Sequence, residues 1–193
     1  MPVEGLTRSA YFTAAFDLLA DGGHDALTIA ALCRTLSVTK GSFYHHFRDF
    51  SDFVAALLDY WSSEHATRLI DLSVSVTDPT ERFDLLKGIA ISLPHGAEAA
   101  IRAWSWSNQN VALVQRHVDD ARLAHLTQAG VEAGLPAQRA ALMAKISMSV
   151  LIGMQQLERP ASSAAMEEVF SEMHDWTLHP VLPAHDSGVT VIP

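Results

Sequence analysis

The chain has 193 residues, with 13 lysines and arginines against 22 acidic residues, ten histidines and one cysteine, for a net charge of −9. That length allows one or two compact units with buried cores, and no run is expected to approach the roughly 20 apolar residues of a membrane helix. The lone Cys33 excludes an internal disulfide and suits a reducing cytoplasm, and the start, MPVEGLTRSAYF, lacks the apolar segment of a secretory signal.

Apolar spacing predicts helix almost throughout. The first helix, about Thr7 to Ala20, aligns Phe12, Ala15, Phe16 and Leu19 and ends at Gly22-Gly23. Residues 28–47, TIAALCRTLSVTKGSFYHHF, read as two short helices about a tight turn. Thr28 caps the first, whose Ile29, Leu32 and Leu36 face inward, and Val38 plugs the turn. Thr39 caps the second, whose Phe43 and Phe47 share a face. Lys40, Ser42, Tyr44 and His45 are left for the outer side. A helix-turn-helix needs this division, one face glued to its neighbours and the other free for the major groove of DNA. His46 stays open between packing with Phe47 and DNA contact. Cys33 reads as a small packed residue, with a redox-sensing thiol as the alternative.

A long helix from Asp52 to about Leu72 follows, carrying Phe53, Leu57, Tyr60, Trp61 and Leu69. Further helices are expected at about Thr80–Leu93, Ala97–Ser107, Asn110–Ala133, Pro136–Glu158 and Ser163–Leu178. Prolines 79, 94, 136 and 160, with Gly96 and Gly134, mark the breaks. The tail beyond His179, rich in proline, is expected to be irregular.

The order helix, GG, LT, turn, then VTKGSFYHHF resembles the DNA-binding domain of the TetR family of transcriptional repressors, from about Thr7 to Trp61. The resemblance implies an all-α chain. An N-terminal three-helix helix-turn-helix DNA-binding domain, residues 1–50, would be joined by a long helix to a helical effector-binding and dimerisation domain, residues 51–193. It implies a repressor that binds a near-palindromic double-stranded DNA operator as a homodimer. A small hydrophobic or aromatic effector would release it, with no cofactor, metal or membrane involved, in the cytoplasm.

On that basis Lys40 is expected to reach a guanine edge or a phosphate. Thr39 offers its hydroxyl to phosphate, and Ser42 is a short donor beside it. The resemblance gives Tyr44 a hydroxyl contact to the backbone and a ring contact to a thymine methyl, and makes His45 a phosphate or base-edge partner. Thr28 lies where exposed N–H groups can hold a phosphate. Three positions depart from the family pattern: Ser37 replaces a turn glycine, Arg48 a proline, and Phe50 a phosphate-gripping lysine. Arg48 is the nearest cation able to supply the lost contact. The acidic total does not oppose DNA binding, because residues 1–50 carry only −1 of it and residues 26–48 hold three cations and no acid.

The body carries weaker signals. Ala140, Ala144 and Ser147, with Leu151, Val169, Phe170 and Trp176, predict the dimer surface along the last two helices, part of them serving an intrachain core instead. Trp61, Trp104, Trp106, Met143 and Met148 are candidate walls of an effector site, with Arg102, Asn108, His117 and Gln155 as polar anchors. An enzyme is not expected: HExxH, GxSxG, a P-loop and CxxC are all missing, and His117 and His125 lie two turns apart. The alternative class is a helical adaptor whose helix-turn-helix contacts protein.

Overall fold

The computed structural model describes residues 7–64, 76–157 and 161–178. All regular structure among them is helical: α1 (Arg8–Ala26), α2 (Ile29–Thr35), α3 (Lys40–His46), α4 (Phe50–Ser62), α5 (Pro79–Ile91), α6 (His95–Ser105), α7 (Gln109–Glu132), α8 (Ala137–Leu157) and α9 (Ser163–Leu178). The all-α architecture is the one expected. The far end of the connecting helix, expected to reach Leu72, and the tail 179–193 lie outside the described residues.

Side-chain caps set most helix starts. Thr7, Thr28, Thr39, Asp49, Asp78 and Asn108 each accept a hydrogen bond from a backbone N–H in the first turn that has no helical partner.

Two glycines act differently from expectation. α1 does not stop at the glycine pair: Gly22 stays helical and only Gly23 departs, at φ 69° and ψ −168°, before one more turn runs to Ala26. That conformation is open to glycine because it has no Cβ. Gly96, expected as a break, sits in the first turn of α6. A Cβ there would stand 2.8 Å from the Cβ of Ala20 and 3.2 Å from its Cα, so glycine serves a close approach of α6 to α1.

Ser37 is the non-glycine residue at positive φ, 54°, among the described residues. A side chain in that left-handed region costs about 1–2 kcal/mol, against about 0.5–1 kcal/mol for the greater chain entropy of glycine. Ser37→Gly is therefore expected to stabilise the fold by about 0.5–1 kcal/mol, seen as a higher urea midpoint with an unchanged slope. A lower midpoint would show that the turn is relaxed around serine.

Two apolar cores form. The first joins Tyr11, Phe12, Ala15 and Leu19 of α1 to Leu32, Phe43 and Phe47, then to Phe53, Leu57 and Trp61 of α4, and on to Ile101, Trp104, Val111 and Val118 of α6 and α7. The N-terminal helices thus share their interior with the near half of the body. The second core, at the far end, gathers Leu93, Met148, Leu151, Met166, Phe170 and Met173. α8 is long and apolar enough to cross a membrane by length and composition, which corrects the expectation that no segment comes near. Its apolar residues divide between two faces: Ala140, Ala144, Met148 and Leu151 are buried, while Leu142 and Ile146 are exposed beside Arg139 and Lys145. A core helix along which α7 packs passes the same compositional test.

Candidate nucleic-acid interface and ligand cavity

α3 is fixed from behind. Phe43 and Phe47 are fully buried, and the Tyr11 ring meets both edge-on at 5.9 and 5.5 Å. The Tyr11 hydroxyl donates to Ser42 Oγ at 3.1 Å. The Arg8 guanidinium lies 4.7 Å from the centre of the Phe47 ring, a favourable cation–aromatic contact. Neither Arg8 nor Tyr11 was singled out from the sequence, although positions 8, 11 and 15 fall on one helical face, the signal that finds them.

The outward side of α3 carries Lys40, Tyr44 and His45, all exposed. Among the described residues Lys40 has no ion-pair partner, and Tyr44 is 54% exposed with its ring edge-on to Phe43. The hydroxyls of Thr28 and Thr39 accept from the N–H groups of Ala31 (3.1 Å) and Ser42 (3.4 Å), and both side chains reach solvent. Each keeps its own proton to donate. Ser42 differs from the expected outward donor: it is half-buried, its oxygen held by Tyr11. His46 is half-buried with its ring 5.5 Å from that of Tyr11, the packing alternative. Cys33 is buried, as a packed residue would be.

Arg48 is exposed but lies 3.5 Å from Asp49 and 3.7 Å from Asp52, and its N–H donates to Asp52 Oδ2 at 3.0 Å. The hydrogen bond from the Asp52 N–H, aided by the Arg48 charge, holds the Asp49 carboxyl below its ordinary value. Two carboxylates therefore compete with any phosphate for Arg48. Phe50 is half-buried with its ring 6.0 Å from that of Phe53, so an anchored aromatic occupies the place where a lysine would reach out.

The body contains a buried polar knot. Glu98 accepts from Arg122 twice (2.6 and 3.2 Å), from Gln155 Nε2 (3.0 Å) and from Trp61 Nε1 (3.3 Å). Gln155 Nε2 also lies 3.3 Å from His95 Nδ1. Burial pushes the Glu98 carboxyl up, but the Arg122 charge and these hydrogen bonds outweigh it and hold the group below its ordinary 4.5. Glu98 thereby ties α4 to α6, α7 and α8.

A cavity of about 250 Å³ opens elsewhere, between α5, α7, α8 and α9. Met143 and Met148 line it, with Phe83, Leu126, Phe170 and Met173. The other expected effector residues do not, and each is occupied or placed elsewhere. Trp61 and Gln155 belong to the Glu98 knot. Arg102 makes a two-pronged bond to Asp119 at 2.9 and 2.8 Å. Asn108 caps α7, and Trp104 is buried with its ring stacked 5.6 Å from His24. His117 and Trp106 are exposed, Trp106 at 90%. The true lining was hard to foresee because α5 contributes a whole wall and carried no motif.

Residues 12–57 match the family model described as "Bacterial regulatory proteins, tetR family". That match spans the segment from α1 into α4. It is 31% identical over 70 residues to the transcriptional regulator AcuR of Cereibacter sphaeroides, a match covering 36% of this chain and 32% of that protein. The chain thus matches about a third of the length of that curated relative. Its fold is similar to that of a transcriptional regulator from Rhodococcus sp. Rha1, with TM-score 0.73 and 17% identity over 92% of this chain and all of the other. A putative transcriptional regulator from Saccharomonospora viridis, solved in complex with choline, gives TM-score 0.68 and 16% identity over 89% of this chain and 95% of that one.

Within this fold the expected dimer residues turn inward. Ala140, Ala144, Ser147, Leu151 and Phe170 line the cavity, because they share the face of α8 and α9 that packs within the chain. Val169 is half-buried, and the side chain of Trp176 lies outside the described residues. The opposite face of α8 exposes Leu142, Ile146 and Leu157, at 50%, 39% and 82%, along one stripe. Among the described residues no three histidine, cysteine or acidic side chains come together as a metal site.

Proposed function

We propose that this protein represses transcription in the cytoplasm by binding a near-palindromic DNA operator as a homodimer, and that a small apolar effector in the cavity releases it. The observation that carries the reading is α3 itself, with Phe43 and Phe47 locked inside and Lys40, Tyr44 and His45 presented outward. Lys40 is placed for a guanine edge or phosphate, Tyr44 for a phosphate and a thymine methyl, and His45 for the flanking backbone. The hydroxyl protons of Thr28 and Thr39 serve phosphate oxygens, while Arg48, shared with two acids, adds a weaker contact. One such helix reads too few base pairs, since each contributes only about 1–3 kcal/mol. Two copies joined along the outward face of α8, with α9 beside it, would supply a second half-site.

Release follows from differential affinity: a ligand that fits the body better when the two heads are wrongly spaced weakens DNA binding by that difference. Duplexes selected from a random pool should converge on two related half-sites bound by two chains. A scrambled duplex at moderate salt should bind about 1,000-fold more weakly. Equal retention of selected and scrambled DNA would end this reading.

A further inference from the structure

The cavity is apolar within and acidic at its edge. Its two lining cations are already matched. Arg82 pairs with Glu132, and Lys87 pairs with Glu167 at 2.7 Å and Asp84 at 3.6 Å while donating to Ser171 Oγ at 3.3 Å. Three carboxylates thus surround two cations. The hydrogen bond from Lys87 to Glu167 holds the ammonium above its ordinary value, so it keeps its proton and its partners. Deeper in, Ser147 donates its proton to the Met143 carbonyl at 2.9 Å, which leaves its oxygen to accept.

Resting on the effector-release reading, we propose that this cavity selects an uncharged, largely apolar molecule of roughly ten non-hydrogen atoms with at most one hydroxyl, and rejects carboxylates of the same shape. The size follows by proportion from a ~150 Å³ cavity that accepts benzene. The discrimination follows from charge. An entering carboxylate finds no cation without an acid beside it and would be desolvated against methionine and phenylalanine walls, which is strongly unfavourable for an ion. A quaternary ammonium meets the same apolar walls, and the three carboxylates at the edge are already paired with Arg82 and Lys87. A hydroxyl needs only one acceptor, and Ser147 Oγ is one.

Three probes with one tail separate these cases: octan-1-ol, octanoate and octyltrimethylammonium, titrated calorimetrically into the whole protein near neutral pH without DNA. Octanol should bind saturably at one site per chain, and both ions at least roughly tenfold more weakly. Glu167→Gln, at an exposed position outside the lining, removes one of the acids around Lys87. It should narrow the octanoate gap roughly threefold while octanol affinity holds. Ala144→Phe fills the cavity and should abolish octanol binding; if it does not fold by circular dichroism, Met143→Trp at a half-buried position makes the same test. The proposal is overturned if octanoate or octyltrimethylammonium binds as tightly as octanol, if octanol gives no saturable heat with folded protein, or if the filled variants still bind it. Because DNA is absent, failure of operator binding leaves this result standing. Octanol binding that leaves operator affinity unchanged would instead defeat release by ligand.

Discussion

Replacing Lys40 and Tyr44 together by alanine is expected to lower affinity for a selected operator duplex by at least roughly 100-fold, while leaving the fold intact. Each base-edge contact discriminates by about 1–3 kcal/mol, so two lost from each subunit reach that factor conservatively. Neither side chain supports the core: Lys40 is exposed and Tyr44 is more than half exposed. Thermal midpoint and circular dichroism should therefore stay within the small range of surface substitutions, about 0.5 kcal/mol. Fluorescence anisotropy at fixed salt measures the loss, and the variant's residual binding should no longer distinguish selected from scrambled DNA. Retained discrimination would mean that α3 is not the reading element.

Arg122→Leu is expected to be the most destabilising single change in the body, at about 3–5 kcal/mol, because it strands the Glu98 carboxylate in an apolar interior. For a chain of this size that is a fall of roughly 6–20 °C in thermal midpoint. The sign of the pH dependence gives a second readout. In the native protein Glu98 is held below 4.5, so its contribution is fully present above that value and is lost as pH falls through the depressed folded value. In the variant burial acts without Arg122 and raises the group above 4.5. Stability should then increase as pH falls from neutral toward 4.5, the reverse of the native trend. Glu98→Gln combined with Arg122→Met should regain most of the loss, since the amide oxygen still accepts from Trp61 and Gln155. A single Arg122→Leu variant as stable as the native protein at pH 7 would show that the knot is open to water.

The head was readable because its chemistry is local. Thr28, Thr39 and the Phe43–Phe47 pair lie within twenty residues, and cap, turn and apolar spacing each leave a short-range signature. The body was legible as helices but not as surfaces. Helical spacing assigns Ala140, Ala144 and Leu151 to one face of α8, yet nothing in the sequence says whether that face meets α5 and α9 or a second chain. The polar residues misled for a related reason. Arg102 and Gln155 found partners at Asp119 and Glu98, pairings that exist only once separate helices meet, whereas Asn108 is taken up locally as the cap of α7. Ser37 shows the converse: a departure from the family pattern was visible in the sequence, and its positive φ states the physical cost.

Where Gly96 passes Ala20, two helix backbones come close with only the Ala20 methyl between them. Packed interiors barely compress, so a tilt imposed on α6 is transmitted to α1 with little slack, and through Tyr11 to α3. α3 and α6 would then move as one stiff arm. In the proposed dimer the span between paired arms, which would have to match a whole turn of the double helix, would then be a measure of how α6 leans.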